Sequence, residues 1–387
     1  MTRTSEGVHS LVAAGAVLAI DLGAIRENYR LLKSRLDGVP AAGLVKAAGY
    51  GLDAPAVAHA LIREGCNTFF VAHLSEAVAL AASIGDKPAI HILNGLAPGA
   101  EQECIACGAI PVLNSLEQLD AWRGAARRVG KRLPATLQVD SGMARLGLSP
   151  ADVKTLAVTS GAFDGIDIVL VMSHLACADE PDSPANEMQL HEFERLRAML
   201  PKAPASLANS SGIFLGKRYH FDLARPGAAL YGVNPVPGRP NPMRQVVNLS
   251  AKVVQTRNLP AGVGVGYGHS FHTSSLMRTA TISLGYADGW PRRAVAAAWF
   301  NGVRLPFIGR VSMDSIILDI SALPEGRLKG GDLVELIGEH QSIDEVATIA
   351  GTIGYEILTS LGGRFHRVHV DRDQEKPAEF IRMRWQG

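Results

Sequence analysis

Cysteine is scarce in this chain, with only Cys66, Cys104, Cys107 and Cys177 among 387 residues. So few do not make a disulfide framework, and reduced thiols are the expectation. Cys104-Ile-Ala-Cys107 has CxxC spacing, but no second pair completes a zinc site. The two thiols read as one turn apart on a helix within 99–108, and no metal is expected. Charge of one sign is missing as well. Lys and Arg total 38 against 37 Asp and Glu, a formal net charge of +1 that leaves no basic surplus for nucleic acid. Aromatic residues are 6% of the chain and no basic cluster is interleaved with them. Long apolar runs are lacking too. The stretch from Val8 to Ile20 is interrupted by His9 and Ser10, closed by Asp21, and preceded by no basic leader. It is too short to span a bilayer. A soluble, cytoplasmic protein without membrane or nucleic-acid partners is expected.

What is present is an ordinary globular composition, 47% hydrophobic and 19% charged. The length suggests a large domain plus a smaller one, since single cores stop growing near ~250–300 residues. From 41 to 233 short apolar runs alternate with amphipathic stretches. The strand-like runs are Ala41–Val45, Thr68–Val71, Ala89–Leu93, Ala109–Leu113, Ala135–Val139, Ile166–Met172, Ala205–Ala208 and Ala228–Tyr231. Helix-like stretches such as Pro55–Glu64, Leu74–Ser83, Leu116–Val129 and Glu187–Leu200 lie between them. Eight strands with helical crossovers favour a (β/α)8 barrel over a doubly wound sheet. After the Pro/Gly-rich stretch Pro235-Val-Pro-Gly-Arg-Pro240 the rhythm becomes β-rich, as in a small sandwich or barrel. The expected fold class is therefore α/β: a (β/α)8 TIM-type barrel over 1–236, then a mainly β C-terminal domain over 237–387. The early strand Ala16–Leu22 is a candidate for pairing into the second domain.

Six polar residues follow the ends of apolar runs in phase: Lys46, Asn94, Asn114, Asp140, His174 and Asn209. Barrel active sites gather at that rim. Lys46, in Gly43-Leu-Val-Lys-Ala-Ala-Gly-Tyr50-Gly51, is the most informative. Burial at a strand end disfavours its ammonium form, which suits a Schiff-base former and general base.

Further patterns join it: Val139-Asp140-Ser-Gly-Met-Ala-Arg145, Ser173-His174, Ala208-Asn209-Ser210, Ala224-Arg225-Pro-Gly227, Gly266-Tyr267-Gly268 and Gly309-Arg-Val-Ser312-Met313-Asp314. Taken in order, from about residue 16 to 372, they closely resemble the alanine racemase family. That resemblance implies pyridoxal phosphate held covalently by Lys46, which also serves as the base on one face of the substrate Cα, with Tyr267 as the base on the other. It matches His174 and Arg225 to residues linked with that tyrosine, and Arg225 to the arginine facing the cofactor's ring nitrogen. Phosphate recognition falls to Tyr50, Ser210, the N–H groups at Gly227 and Ala228, and Tyr355. Arg145 and Met313 match the contacts to the substrate carboxylate, and Tyr286 narrows the pocket. A homodimer is implied, with Tyr267 and Met313 reaching the partner's cofactor. The implied role is D-alanine supply for peptidoglycan or L-alanine catabolism.

The chain departs from the family pattern in places. Gln138 stands where many members carry a carbamylated lysine, so either its amide oxygen or a small anion such as chloride would orient Arg145. Ser312, Phe271 and Gly354 replace residues often found as cysteine, tyrosine and asparagine. Four rivals stand beside this reading. A pyridoxal-phosphate decarboxylase pairs the ring nitrogen with a glutamate, which Arg225 opposes. A racemase of serine differs by one hydroxyl in the pocket. A carrier of the cofactor has no use for the second domain, and a phosphate-binding sugar isomerase explains neither Arg225 nor Tyr267.

Overall fold

The structure, a computed structural model, describes residues 12–371; the part of the apolar N-terminal stretch before Val12 lies outside them. Two compact units divide the chain, one running from Ile25 to Arg244, the other combining the described residues up to Ala24 with those from Gln245 onward. The first elements among the described residues are β1 (Ala16–Asp21) and α1 (Leu22–Arg35).

The first unit continues with β2 (Gly43–Leu44), the single turn α2 (Lys46–Tyr50), α3 (Ala54–Arg63), β3 (Thr68–Val71), α4 (Leu74–Ile84), β4 (Ala89–Ile92) and α5 (Glu101–Cys107). It goes on through β5 (Ile110–Leu113), α6 (Leu116–Val129), β6 (Leu133–Gln138), α7 (Pro150–Val158), β7 (Ile166–Met172), α8 (Pro184–Arg197) and β8 (Ala205–Ser206). The seven strands form one parallel sheet in chain order. Helix starts follow from local chemistry. Ser115 caps α6 by accepting from the Gln118 N–H, and Ser149 with Asp152 forms a capping box on α7 whose first residue is Pro150.

Ala228–Tyr231, expected as the eighth strand, is instead a 3-10 turn. The eighth stave is 222–226. On one side the Asp222 N–H donates to Ala205 O at 3.0 Å and the Arg225 N–H to Ala208 O at 2.8 Å. On the other, Ala224 donates to Pro40 O, Ala42 to Ala224 O, and Leu44 to Pro226 O. These bonds close the barrel between β8 and β2. Pro226 has no N–H to continue the ladder, so the chain turns there. A short buried apolar run such as 228–231 looks alike as strand or turn, whereas the true stave carries Asp222 and Arg225 and is harder to see.

The second unit contains β9 (Val247–Leu259), β10 (Gly264–Val265), β11 (Phe271–His272), β12 (Met277–Ile282), β13 (Ala297–Phe300), β14 (Val303–Ile308), β15 (Ile316–Asp319) and β16 (Leu333–Ile337). Then come α9 (Ile343–Ala350), α10 (Gly354–Ser360) and β17 (His366–Val370). Its sheet has the order β12-β15-β14-β13-β16-β9-β1-β17 and closes on itself because β9 also pairs with β12. The length of β9 permits this: residues 249–252 pair with β16, and 253–259 pair with β12. Fully buried β1 lies between β9 and β17, so the first described strand belongs to the C-terminal sheet.

Candidate active site

Lys46 leaves the end of β2 into α2, which is left-handed. Ala47, Ala48, Gly49 and Tyr50 have φ of 52°, 54°, 68° and 53°. An L-residue in that region costs roughly 1–2 kcal/mol, so the turn stores strain beside the lysine. Its own bonds, Gly49 N–H to Val45 O at 2.8 Å and Gly51 N–H to Ala47 O at 2.7 Å, hold it in part. The carboxylate of Glu76, on α4, accepts the Ala47 N–H at 2.6 Å. Burial lowers the pKa of Lys46, the positive charge of Arg145 lowers it further, and Glu76 opposes them.

The barrel interior below Lys46 is polar, unlike the layers of Val, Ile and Leu that usually fill this fold. Arg225 is only 2% exposed. It donates from Nη2 to Ser173 O at 2.5 Å and from Nη1 to the Ser206 hydroxyl, which in turn donates to Leu223 O. The hydroxyls of Ser141 and Ser173 are 2.7 Å apart. No carboxylate among the described residues pairs with Arg225, and burial alone pulls its pKa down to about 9, so it remains charged at neutral pH. His174 is held neutral: burial, then the charges of Arg225, Arg145 and Lys46, push it down to about 3. His91, on β4, was not singled out by the sequence. It stacks on Phe70 at 4.6 Å, bonds through Nδ1 to Thr136 Oγ1 at 2.9 Å, and is pushed down to about 4 by burial and then by Arg225. The available signal was a lone imidazole in an otherwise apolar strand.

Tyr50 stacks on Tyr231 with centroids 4.5 Å apart, and the Tyr231 hydroxyl donates to Leu44 O at 2.9 Å. A Cβ added to Gly227 would collide with the Tyr50 hydroxyl oxygen. Ser210 Oγ accepts from the N–H groups of Gly227 at 2.9 Å and Ala229 at 3.2 Å, and Ala228 begins the 3-10 turn that follows. Lys46, Tyr50, His174, Ser210, Arg225, Gly227 and Ala228 therefore share one end of the barrel.

Arg145 projects from a loop organised by Asp140, whose carboxylate accepts from the N–H groups of Gly142, Met143 and Ala144. Its guanidinium makes no hydrogen bond or ion pair among the described residues. Gln138 points its amide elsewhere, donating from Nε2 to Leu146 O at 3.1 Å, rather than accepting from Arg145. The other rim residues are loop fasteners. Asn114 Nδ2 donates to Leu93 O and Val112 O, Asn209 Oδ1 accepts the Gly212 N–H, and Asn94 O accepts from Gln118.

Tyr267, Met313 and Tyr355 stand in the second unit. Tyr267 is 69% exposed and Met313 52%. Their loops adjoin. Gly266 lies against the backbone of Arg310, the Tyr286 N–H donates to Ser312 O, and the Ala287 N–H donates to Met313 O. Arg364 fastens two of these loops at once, donating to Asp288 at 2.6 Å and to Asp314 at 2.7 Å. Tyr355 lies in the first turn of α10. Among the described residues no cluster of His, Cys, Asp or Glu could hold a metal ion.

Residues 20–235 match the family model of the alanine racemase N-terminal domain, and 246–369 that of its C-terminal domain. The chain belongs to the alanine racemase family. It is 67% identical over 361 residues to the catabolic alanine racemase of Mesorhizobium japonicum, covering 93% of this chain and 95% of that one. The alanine racemase of Brucella canis is 50% identical over 374 residues, covering 93% and 94%. Among solved alanine racemases, that of Bartonella henselae, with covalently bound pyridoxal phosphate, superposes with a TM-score of 0.89 at 43% identity, covering 92% of this chain and 100% of that one.

Proposed function

We propose that this alanine racemase interconverts L-alanine and D-alanine with pyridoxal phosphate held covalently by Lys46, in a homodimer whose sites are completed by Tyr267 and Met313 of the partner subunit. Arg225 carries the reading: a buried guanidinium that faces neutral oxygens and no carboxylate. A guanidinium only donates, so a ring nitrogen lying against it stays unprotonated and draws electrons modestly. That suits a reaction in which a proton leaves and promptly returns.

The residues present fit the cofactor. Lys46 is an amine whose charge is disfavoured by burial, the state that condenses with an aldehyde. Ser210 gathers the N–H groups of Gly227 and Ala229, and Gly227 has no room for a Cβ, as a backbone that approaches a phosphate requires. Tyr50 and Tyr355 are assigned to the same phosphate. The chemistry supplied by bound pyridoxal phosphate is withdrawal of electrons from Cα, which makes its proton acidic.

Racemisation needs one group to remove that proton and another to return one from the opposite face. Lys46 serves one face, and Tyr267 of the partner subunit the other. Neutral His174 and charged Arg225 lie within electrostatic range of each other and are the neighbours assigned to that phenol. Arg145, whose guanidinium makes no bond of its own among the described residues, holds the substrate carboxylate together with the Met313 N–H. The Mesorhizobium relative's name favours L-alanine catabolism over peptidoglycan supply. A cytoplasmic setting accords with four free cysteines, and no helix among the described residues is long and apolar enough to cross a membrane.

The test is incubation of cofactor-loaded protein with pure L-alanine in D2O, following both enantiomers by chiral chromatography and deuterium at Cα. Deuterated D-alanine accumulating toward an equal mixture is the expected result. Deuterium entering L-alanine without any D-isomer overturns the two-base assignment, because the group on the face opposite Tyr267 then delivers no proton, and no exchange at all overturns alanine as substrate.

A further inference from the structure

The barrel rim is held by side chains that reach back from the helices. Gln118 accepts the Asn114 N–H at 2.8 Å and donates to Asn94 O at 3.1 Å, so it ties the loop after β5 to the loop after β4. Gln189 accepts the Ala176 N–H at 2.8 Å and donates to His174 O at 3.0 Å. In both, one partner is a donor and one an acceptor, and an amide matches them.

Glu76 occupies the same kind of place with different chemistry. Its Oε1 accepts the Ala47 N–H at 2.6 Å, while Oε2 accepts the N–H groups of Ala72 at 2.7 Å and His73 at 3.0 Å. All three partners are donors, so only a carboxylate serves both ends. The bond at Ala47 is made to the first left-handed residue after Lys46. The backbone that aims the lysine is thereby tied to the end of β3, a strand of the rigid barrel.

We propose that Glu76 is a positioning residue for Lys46: its carboxylate clips the left-handed turn to the end of β3 and fixes the direction in which the lysine amine enters the site. The proposal rests on the assignment of Lys46 as the cofactor lysine. Capping of α4 explains the bonds to Ala72 and His73, but not the one to Ala47, which lies 29 residues away. The same charge also offsets the burial and the Arg145 charge that act on Lys46.

Glu76→Gln tests it. The amide replaces one acceptor by a donor, so it can keep the link to Ala47 or the link to Ala72 and His73, not both. The borohydride-trapped adduct of Lys46 with pyridoxal phosphate should form roughly tenfold more slowly or worse, the bound cofactor's induced circular dichroism should change, and kcat should fall with little change in KM. Gln118→Ala, which breaks the same device elsewhere on the rim, should lower Tm yet leave the adduct rate and the dichroism as in the wild type. Wild-type adduct rate, dichroism and kcat in Glu76→Gln would overturn the proposal. If the wild type itself forms no adduct at Lys46, the functional assignment fails instead. Amide hydrogen exchange on the intact wild-type protein decides the clip without any variant, even if Glu76→Gln does not fold. A protected Ala47 N–H supports it, and an N–H exchanging as fast as an open loop amide overturns it.

Discussion

Gly227 lies so close to the hydroxyl of Tyr50 that a side chain on the glycine would have to displace the phenol. Backbone strain is not the reason for the glycine, since its φ is −128°. Gly227→Ala should push Tyr50 aside and loosen its stacking on Tyr231, with a stability loss of about 1–3 kcal/mol from overpacking. Affinity for pyridoxal phosphate should weaken by about tenfold or more, because the backbone approach and the phenol are disturbed together. Fluorescence titration of the apo-protein with the cofactor measures this. An unchanged Kd would remove Gly227 and Tyr50 from the phosphate cradle.

Arg225→Glu should convert part of the racemisation into transamination. A carboxylate at that position would accept a hydrogen bond from the ring nitrogen and keep that nitrogen protonated, which would strengthen electron withdrawal and give protonation elsewhere time to compete. Pyruvate released from L-alanine per racemisation event should rise well above the wild-type level. Arg225→Lys, which keeps the charge but loses the fork to Ser206 and Ser173, should release no extra pyruvate. Equal pyruvate yield in wild type and Arg225→Glu would mean that this residue does not face the ring.

Much of this arrangement is legible in the sequence because the barrel writes its strands as short apolar runs bounded by polar caps. Lys46 and His174 could be seen as chemically conspicuous residues at the ends of such runs, while Arg225 stood out only through the family resemblance. The eighth stave could not, since two hydrogen-bond ladders define it and its own residues include Asp222, Arg225 and Pro226. Glu76 was hidden for a different reason. A carboxylate at the third position of a helix reads as a cap, and the bond that gives it a second role goes to a backbone N–H distant in sequence. Gln138 shows the limit from the other side: residue type admits a bond to Arg145, while the fold spends its amide on Leu146 O.

The apo-protein should lose stability as acid protonates the imidazoles of His174 and His91. Their folded pKa values lie at about 3 for His174 and about 4 for His91, below the ordinary 6.5. Both stay neutral in the folded state while the unfolded chain takes up protons. The stability they contribute is therefore complete above pH 6.5 and is lost as pH falls through those lowered values. His91→Leu removes one titrating group and should reduce the slope of unfolding free energy against pH by about 1 kcal/mol per pH unit between pH 6 and pH 4. Urea unfolding across that range measures it. A slope identical to the wild type would show that His91 is protonated as readily in the folded state as in the unfolded one.

Tyr267→Phe separates the two faces of the reaction. The side chain is 69% exposed in its own unit, so loss of the hydroxyl should change stability by no more than about 0.5 kcal/mol. Its catalytic effect should be large and one-sided. In D2O the variant should wash deuterium into L-alanine about 10²–10⁴-fold more slowly, because the group on that face can no longer take the proton. Exchange from D-alanine depends on Lys46 and should persist far better, although net conversion in both directions falls, since a full inversion needs both groups. Exchange slowed equally for the two enantiomers would instead assign Tyr267 to shaping the pocket, because a packing defect has no reason to distinguish one face of Cα from the other.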